Sequence, residues 1–195
     1  MLPERTPRPA LNSDLKVDYA IIGAGYTGHA IARRLAELEP QAKIAIFEAT
    51  TIGEGASGRN SGFTGADVLP RTATPECAEL AQKQTRLMSD AFNWMLDIIK
   101  EHEIDCDLQK VGSIRGAATE LGETSLRKVA EVAKINGIKH TVLGRKDIED
   151  RTGSNYYRYG VYINDTYLLQ PAALIRGLVD SMPDNINAKI GRAHV

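Results

Sequence analysis

The hydrophobic pattern of the first fifty residues alternates between two short apolar segments and one helical segment. Residues 17–22 form a short, mostly apolar run, residues 27–38 carry apolar side chains at helical spacing, and residues 43–47 form a second apolar run. Short apolar runs are typical of buried strands, whereas the helical spacing is typical of a helix that packs on one face. This order predicts a β-strand, an α-helix and a second β-strand.

Helical and strand-like segments continue to alternate after the second apolar run. The longest helical segment extends from about Pro75 to His102, where apolar residues recur at helical steps and form one face. The remaining elements are predicted in the order strand, helix, strand, helix at residues 110–117, 121–135, 160–163 and 171–182. This alternation is typical of the α/β class, but the later strands are too few to complete a sheet within 195 residues.

Composition argues against several classes of partner. The chain carries 25 acidic and 24 basic residues, so it has no positive field for nucleic acid and no acidic excess for a cationic partner. Its two cysteines, Cys77 and Cys106, lie far apart and lack the spacing of a zinc site or a disulfide framework. The polar N-terminus and the absence of about eighteen consecutive apolar residues predict a soluble, cytoplasmic protein with no transmembrane segment.

A glycine-rich segment joins the first predicted strand to the helix that follows it. Its spacing is G-x-G-x-x-G, and it comprises Gly23, Ala24, Gly25, Tyr26, Thr27 and Gly28. In dinucleotide-binding folds the first glycine permits a tight turn, the second lets the backbone approach a pyrophosphate, and the third allows close packing of helix on strand. Glu48 ends the second strand, where a carboxylate accepts hydrogen bonds from a ribose diol and repels the 2′-phosphate of NADP. These positions predict a dinucleotide site on a Rossmann-type βαβ unit.

A second glycine-rich segment follows the second strand and has the sequence GASGRNSGF over residues 55–63. Together with the first segment it resembles the D-amino-acid-oxidase-like family of FAD-dependent oxidoreductases, in particular glycine, sarcosine and γ-glutamylputrescine oxidases. Residues 111–115 and 169–178 extend the resemblance more weakly, so that it covers about residues 17–182. The resemblance implies an FAD/NAD(P)-binding Rossmann-type domain, here incomplete, and the start of an α+β substrate domain.

The resemblance also implies a cofactor, a reaction and a set of binding residues. The first glycine segment would hold the pyrophosphate of FAD and Glu48 the adenosine ribose. The region between pyrophosphate and flavin would be held by Ser57, Gly58, Arg59, Asn60, Ser61 and Gly62. The reaction would be oxidation of the C–N bond of a small amine or amino acid, with a hydride passing to flavin N5 and the imine then hydrolysed. Oxygen or an unidentified carrier would accept the electrons, and no catalytic residue is assigned in this chain.

The predicted organisation along the chain has five parts. Residues 1–16 form a flexible leader, residues 17–105 the FAD-binding βαβ unit with its loop and long helix, and residues 106–170 part of a substrate domain. Residues 171–189 form a helix that returns to the FAD domain, where a strand is expected to begin at about residue 189. Residues 190–195 resemble a translated sequencing adapter. We therefore expect an inactive N-terminal fragment that folds poorly and binds FAD weakly.

Two other functions remain open at the level of sequence. An NAD-dependent dehydrogenase shares the βαβ unit but does not need the second glycine segment, and a non-catalytic dinucleotide-binding module would need few of the elements beyond residue 105. His29, which directly follows the third glycine, is expected to point outward rather than to act as a base.

Overall fold

The computed structural model describes residue 6 and residues 8–191. Most of the predicted adapter-derived segment and part of the predicted leader therefore lie outside the described residues. The secondary structure elements are, in chain order, β1 (Tyr19–Ile22), α1 (Tyr26–Leu38), β2 (Ile44–Glu48), a 3-10 helix (Ala56–Gly58), β3 (Phe63–Gly65), α2 (Pro75–Glu101), β4 (Gln109–Lys110), β5 (Ser113–Ala117), α3 (Glu120–Ile135), β6 (Thr141–Gly144), α4 (Arg145–Thr152), β7 (Tyr159–Ile163), β8 (Thr166–Leu168), α5 (Pro171–Asp180) and β9 (Ile186–Ile190).

These elements form two compact units. The first unit takes the described residues up to Gly62, residues 97–107, and the described residues from Leu169 onward. The second unit takes residues 63–96 and 108–168, and with them most of α2. The predicted domain boundaries at residues 16, 105, 170 and 189 stay predictions. None of the described helices is long and apolar enough to cross a membrane.

The first unit contains the predicted βαβ arrangement in a parallel sheet of strand order β1-β2-β9. Central strand β2 has a neighbour on each side, and its first three residues, Ile44, Ala45 and Ile46, are fully buried. In edge strand β1, half-buried residues alternate with exposed residues, and the last residue, Ile22, is 66% exposed. Among the described residues no strand pairs with the free edge of β1.

The strand that returns to this sheet begins earlier than the sequence predicted. β9 starts at Ile186 rather than at about residue 189, and it pairs in parallel with β2. Pro183 separates it from α5, and Ile186 and Ala188 alternate with an exposed Asn187, which is a short strand pattern. Within the predicted leader, Ala10 forms a parallel bridge with Ile190 on the outer side of β9.

The second unit is built on two antiparallel sheets, with strand orders β3-β8-β4 and β5-β7-β6. Helix α3 packs on β7, and residues such as Val129, Ala133 and Val161 form the core of the unit. The single strand predicted at residues 110–117 is wrong, because the chain turns between β4 and β5. Gly112 has a φ of 70° there, and the N–H groups of Val111 and Gly112 both donate to the carbonyl of Thr166.

Candidate cofactor site

The first glycine turn connects β1 to α1 and leaves no room for side chains at two of its glycines. A Cβ on Gly28 would lie 2.0 Å from the carbonyl oxygen of Gly23, and a Cβ on Gly25 would lie 2.7 Å from Ser57 Oγ. Gly23 itself has a φ of 96°, a conformation that costs other residues free energy. The spacing therefore produces the tight turn and the close helix–strand approach that the sequence predicted.

The N-terminus of α1 faces this turn and carries no negative side chain of its own. Its N-cap is Gly25, which has no capping side chain, and its first turn contains no acidic residue. The first N–H groups of a helix have no partner inside it and form the positive end of its dipole. Of these groups, the N–H of Tyr26 donates to Ser57 Oγ at 3.1 Å. The turn is therefore electrostatically suited to an anion.

Glu48 lies beside the first turn at the end of β2, as predicted. Its Oε2 accepts a hydrogen bond from the N–H of Ala24 at 3.0 Å, and its Oε1 accepts one from the N–H of Ala49 at 2.8 Å. Oε1 also accepts a longer hydrogen bond from the N–H of Thr50 at 3.4 Å. A carboxylate has about four lone-pair sites, so Oε2 can accept a further hydrogen bond. The backbone thus fixes the carboxylate without exhausting its capacity for ligand hydroxyls.

The loop after β2 contains a second G-x-G-x-x-G turn, which sequence reasoning missed. Its glycines are Gly53, Gly55 and Gly58, and Gly53 has a φ of 91°. A Cβ on Gly58 would lie 1.8 Å from the carbonyl oxygen of Gly53, in parallel with the contact between Gly28 and Gly23. The spacing is visible in the sequence, but the segment GASGRNSGF starts at Gly55 and does not include the first of the three glycines.

The N-cap glycines of the two turns also have nearly the same backbone conformation. Gly25 has φ and ψ of −82° and −175°, and Gly55 has φ and ψ of −85° and −168°. The two turns are therefore local copies of one another. Ser57, which belongs to the second turn, reaches the first through its hydrogen bond with Tyr26.

The remaining loop residues divide into a folded part and an exposed part. Asn60 donates from Nδ2 to the carbonyl of Ser57 at 2.9 Å and accepts at Oδ1 from the N–H of Gly62 at 2.8 Å. Gly62 has a φ of 75°, and a Cβ there would lie 2.1 Å from the carbonyl oxygen of Leu169. Arg59 and Ser61 are exposed, and among the described residues Arg59 forms no ion pair.

The structure therefore brings together most, though not all, of the predicted site residues. The first glycine turn, Glu48 and Ser57 form one connected cluster, because backbone N–H groups of the turn donate hydrogen bonds to both side chains. Asn60 and Gly62 shape the loop that carries Ser57. Arg59 and Ser61 lie on the exposed surface of that loop.

The prediction that His29 points outward is wrong. Only 1% of its surface is exposed, and neither ring nitrogen has a hydrogen-bond partner among the described residues. Burial, and secondarily the charge of Arg33, lower its pKa from 6.5 to about 4. Arg33, one helical turn further along, donates from Nη2 to the carbonyls of Leu178 and Ser181 at the end of α5. The face of α1 that begins at His29 is therefore covered by α5, which the sequence of α1 alone does not reveal.

Comparisons with known proteins agree on one family. Residues 18–185 match the sequence profile of a family described as FAD dependent oxidoreductase. A probable oxidoreductase, OrdL, of Rhizobium meliloti is 30% identical over 183 residues, which are 91% of this chain and 42% of that protein. The γ-glutamylputrescine oxidoreductase of Escherichia coli is 31% identical over 112 residues, which are 54% of this chain and 25% of that protein.

A solved structure of known activity has a similar fold. Glycine oxidase from Geobacillus kaustophilus matches with a TM-score of 0.70 and 26% sequence identity, covering 89% of this chain and 46% of that one. The chain thus spans less than half the length of the curated relatives and of this structural neighbour.

Proposed function

Because the chain belongs to the family of FAD-dependent oxidoreductases, we propose that it takes part in oxidising the C–N bond of a small amine or amino acid. The proposal concerns a protein of the relatives' full length, of which this chain spans less than half. The names of γ-glutamylputrescine oxidoreductase and glycine oxidase support the substrate class. The observation that carries the proposal is the connected cluster of the first glycine turn, Glu48 and Ser57.

The first glycine turn is proposed to hold the pyrophosphate of FAD. The fit is supported by the close packing at Gly28, where a Cβ would lie 2.0 Å from the Gly23 carbonyl oxygen, because this packing keeps the turn tight and the start of α1 close to β1. It is also supported by the N-terminus of α1, where the N-cap Gly25 has no side chain and the positive dipole end has no acidic residue in its first turn. Gly23, Ala24, Tyr26 and Thr27 complete this part of the site.

Glu48 is proposed to accept hydrogen bonds from the ribose of the adenosine half. Its carboxylate is oriented by the N–H groups of Ala24 and Ala49 and retains lone pairs for hydroxyl donors. The same negative charge would repel a 2′-phosphate, which disfavours NADP as a ligand.

The loop from Ser57 to Gly62 is proposed to contact the cofactor between its pyrophosphate and its flavin. Ser57 is bonded to the first turn, and Asn60 holds the loop in a fixed shape. Arg59 is exposed and has no ion-pair partner among the described residues, so its charge is available to a phosphate or to the flavin.

When bound, FAD supplies the capacity to accept a hydride from the carbon next to nitrogen. The residues of this chain would bind and orient the cofactor, and we assign none of them to proton transfer. Oxygen or another carrier as electron acceptor, and a cytoplasmic location, belong to the same proposal.

Purification of a protein of the relatives' length tests the proposal directly. We expect bound flavin, visible by its absorbance, and hydrogen peroxide or reduced-dye formation with some members of a panel of amines and amino acids. A colourless protein that binds NAD would overturn it. Arg59→Ala should weaken flavin retention, whereas Arg34→Ala, which changes an exposed arginine on α1, should leave it unchanged.

A further inference from the structure

The second unit contains an open pocket of about 450 Å³ that the proposed cofactor site does not use. It is lined by residues of α2, by residues 136–139 at the end of α3, and by residues next to β3 and on and before β8. All of its lining residues belong to the second unit, so the pocket lies within one compact body. Its volume is in the range of sites for small organic molecules.

The side of α2 that lines the pocket is polar, although it faces the body of the second unit. Gln82, Thr85 and Ser89 lie at helical spacing on this side and are half-buried. The large apolar side chains of Leu80 and Leu87 lie on the opposite side of the helix and are 55% and 72% exposed. A helix packed in a domain normally turns its apolar side inward. The inward polar stripe is therefore explained by contact with a polar ligand.

The charges that line the pocket are balanced. Two lining residues are acidic, Asp67 and Asp165, and two are basic, Arg86 and Lys139. Asp165 is paired with Lys110, whereas Arg86 and Lys139 form no ion pair with any residue that the structure describes. A ligand with a single charge would be attracted by two of these side chains and repelled by the other two. The balance therefore favours a ligand without charge.

Uncharged side chains in the pocket supply hydrogen-bond donors and acceptors next to each other. The side chains of Ser89 and Asn93 have no hydrogen-bond partner in the part of the chain that the structure describes. An amide offers both donors and acceptor sites, and so does a hydroxyl group. Hydroxyl groups of a ligand also donate and accept, so several of them could bond with this wall at once.

Hydrogen bonds between its walls make the pocket a preformed site. Gln82 Nε2 donates to the carbonyl of Asn136 at 2.8 Å, which joins α2 to the end of α3. Thr85 Oγ1 accepts a hydrogen bond from the N–H of Val68 at 3.2 Å, which joins α2 to the segment after β3. A site that is held open in this way loses little conformational entropy when a ligand binds.

Two aromatic side chains form an apolar part of the wall. Phe92 and Tyr167 both line the pocket, and their ring centroids lie 4.9 Å apart. Aromatic rings offer a large apolar surface. The carbon skeleton of a cyclic polyol could pack on this surface while its hydroxyl groups bond with the polar wall.

We propose that this pocket binds an uncharged, polyhydroxylated molecule of the size of a monosaccharide. Its hydroxyl groups bond with Ser89, Asn93 and the charged side chains of the wall, and its ring carbons pack on Phe92 and Tyr167. The inference does not rest on the proposed function, because none of the lining residues belongs to the proposed FAD site and the experiment needs no flavin.

Titration of the unaltered chain with D-glucose, D-mannose and myo-inositol, followed by ligand-observed NMR, tests the pocket. We expect saturable binding of at least one of the three to one site per chain, with a Kd of about 10 mM or tighter. The affinity should change less than about twofold between about 50 and about 500 mM NaCl, because salt does not screen an uncharged ligand. Failure of all three to saturate, or a larger loss of affinity with salt, would overturn the proposal. So would displacement of the polyol by glycine betaine, a zwitterion without hydroxyl groups.

Variants locate the site. Asn93→Ala should weaken polyol binding about fivefold or more, because it removes a donor and an acceptor together. Asn155→Ala makes the same change at an exposed position of the second unit outside the pocket and should alter binding less than about twofold. Ser89→Ala is a second variant of the wall with the same expected direction, and thermal unfolding checks that each variant is folded. If the folded Asn93 and Ser89 variants bind the polyol as the unaltered chain does, the assignment to this pocket is refuted.

Discussion

The two G-x-G-x-x-G turns have nearly the same backbone but lead into different structures. The turn from Gly23 to Gly28 follows a strand and opens a helix of 13 residues, whereas the turn from Gly53 to Gly58 opens a 3-10 helix of three residues. Aligned peptide dipoles add up only along a regular helix, so the first turn has a strong positive end and the second does not. Glycine spacing thus sets the local conformation, and the element that follows sets the electrostatics.

The two turns also differ in the residue that follows the third glycine. His29 follows Gly28 and is buried, whereas Arg59 follows Gly58 and is exposed. In the first turn the position belongs to a helix face covered by α5, but in the second turn it ends the 3-10 helix. The first turn is therefore built into a core, and the second carries its charge on the surface.

The largest expected effect concerns the third glycine of each turn. Gly28→Ala and Gly58→Ala should each lower the free energy of unfolding by about 3 kcal/mol or more, because each new Cβ would overlap a backbone carbonyl oxygen. Urea denaturation measures the loss. Gly55→Ala is the control, since a Cβ there meets nothing within 4 Å and the backbone conformation suits alanine. Equal stability of Gly28→Ala and Gly55→Ala would contradict the close approach.

The buried His29 should make the free energy of unfolding depend on pH. Arg59, at the matching position after the second turn, has no such effect because arginine does not lose its proton in this pH range. The pKa of His29 is about 4 in the folded protein and about 6.5 in the unfolded chain, so the unfolded chain binds the proton more tightly. Its contribution is therefore complete above about pH 6.5 and is lost as the pH falls from 6.5 toward 4. We expect a loss of about 2 kcal/mol across this window.

Denaturant unfolding between pH 7 and pH 4.5 measures this dependence in variants. His29→Gln should flatten it, because glutamine does not titrate. His102→Gln, which changes an exposed histidine, should leave it as it is in the unaltered chain. An unchanged slope in His29→Gln would show that other groups cause the acid sensitivity.

The middle glycine should distinguish the turns by ligand affinity. Gly25→Ala places a Cβ 2.7 Å from Ser57 Oγ, a side chain that can move, so we expect a small change in stability. A displaced Ser57 hydroxyl would lose its hydrogen bond with the Tyr26 N–H beside the proposed pyrophosphate site, and affinity for ADP should fall about tenfold or more. Calorimetric titration of ADP measures it, with Gly55→Ala as the matched change in the second turn. Similar losses in both variants would mean that the turns bind phosphate equally.

The smallest expected effect concerns the carboxylates near the two turns. Glu48→Gln keeps an acceptor oxygen but removes the charge, and affinity for ADP should fall about fivefold. Glu54→Gln makes the same change in the exposed second turn and should have no measurable effect. If the two variants bind ADP alike, Glu48 is not the ribose ligand.

Much of the fold and of the candidate site could be predicted from local patterns. The βαβ unit, the long helix from Pro75 and the return helix from Pro171 agree with the structure because apolar spacing and proline position act within a few residues. The split between β4 and β5 could not be predicted, since the turn at Gly112 depends on hydrogen bonds to Thr166, far along the chain.

The sequence by itself determined the two glycine turns, because a positive φ and a missing Cβ are properties of glycine wherever it stands. It also determined that Glu48 ends a strand beside the first turn and that the chain resembles FAD-dependent oxidoreductases. Only the tertiary structure decided that His29 is buried, that Ser57 bonds to the first turn, and that Arg151 lies over the ring of Tyr162. These contacts join residues distant in the chain, and burial depends on which surfaces meet after folding, which no local pattern encodes.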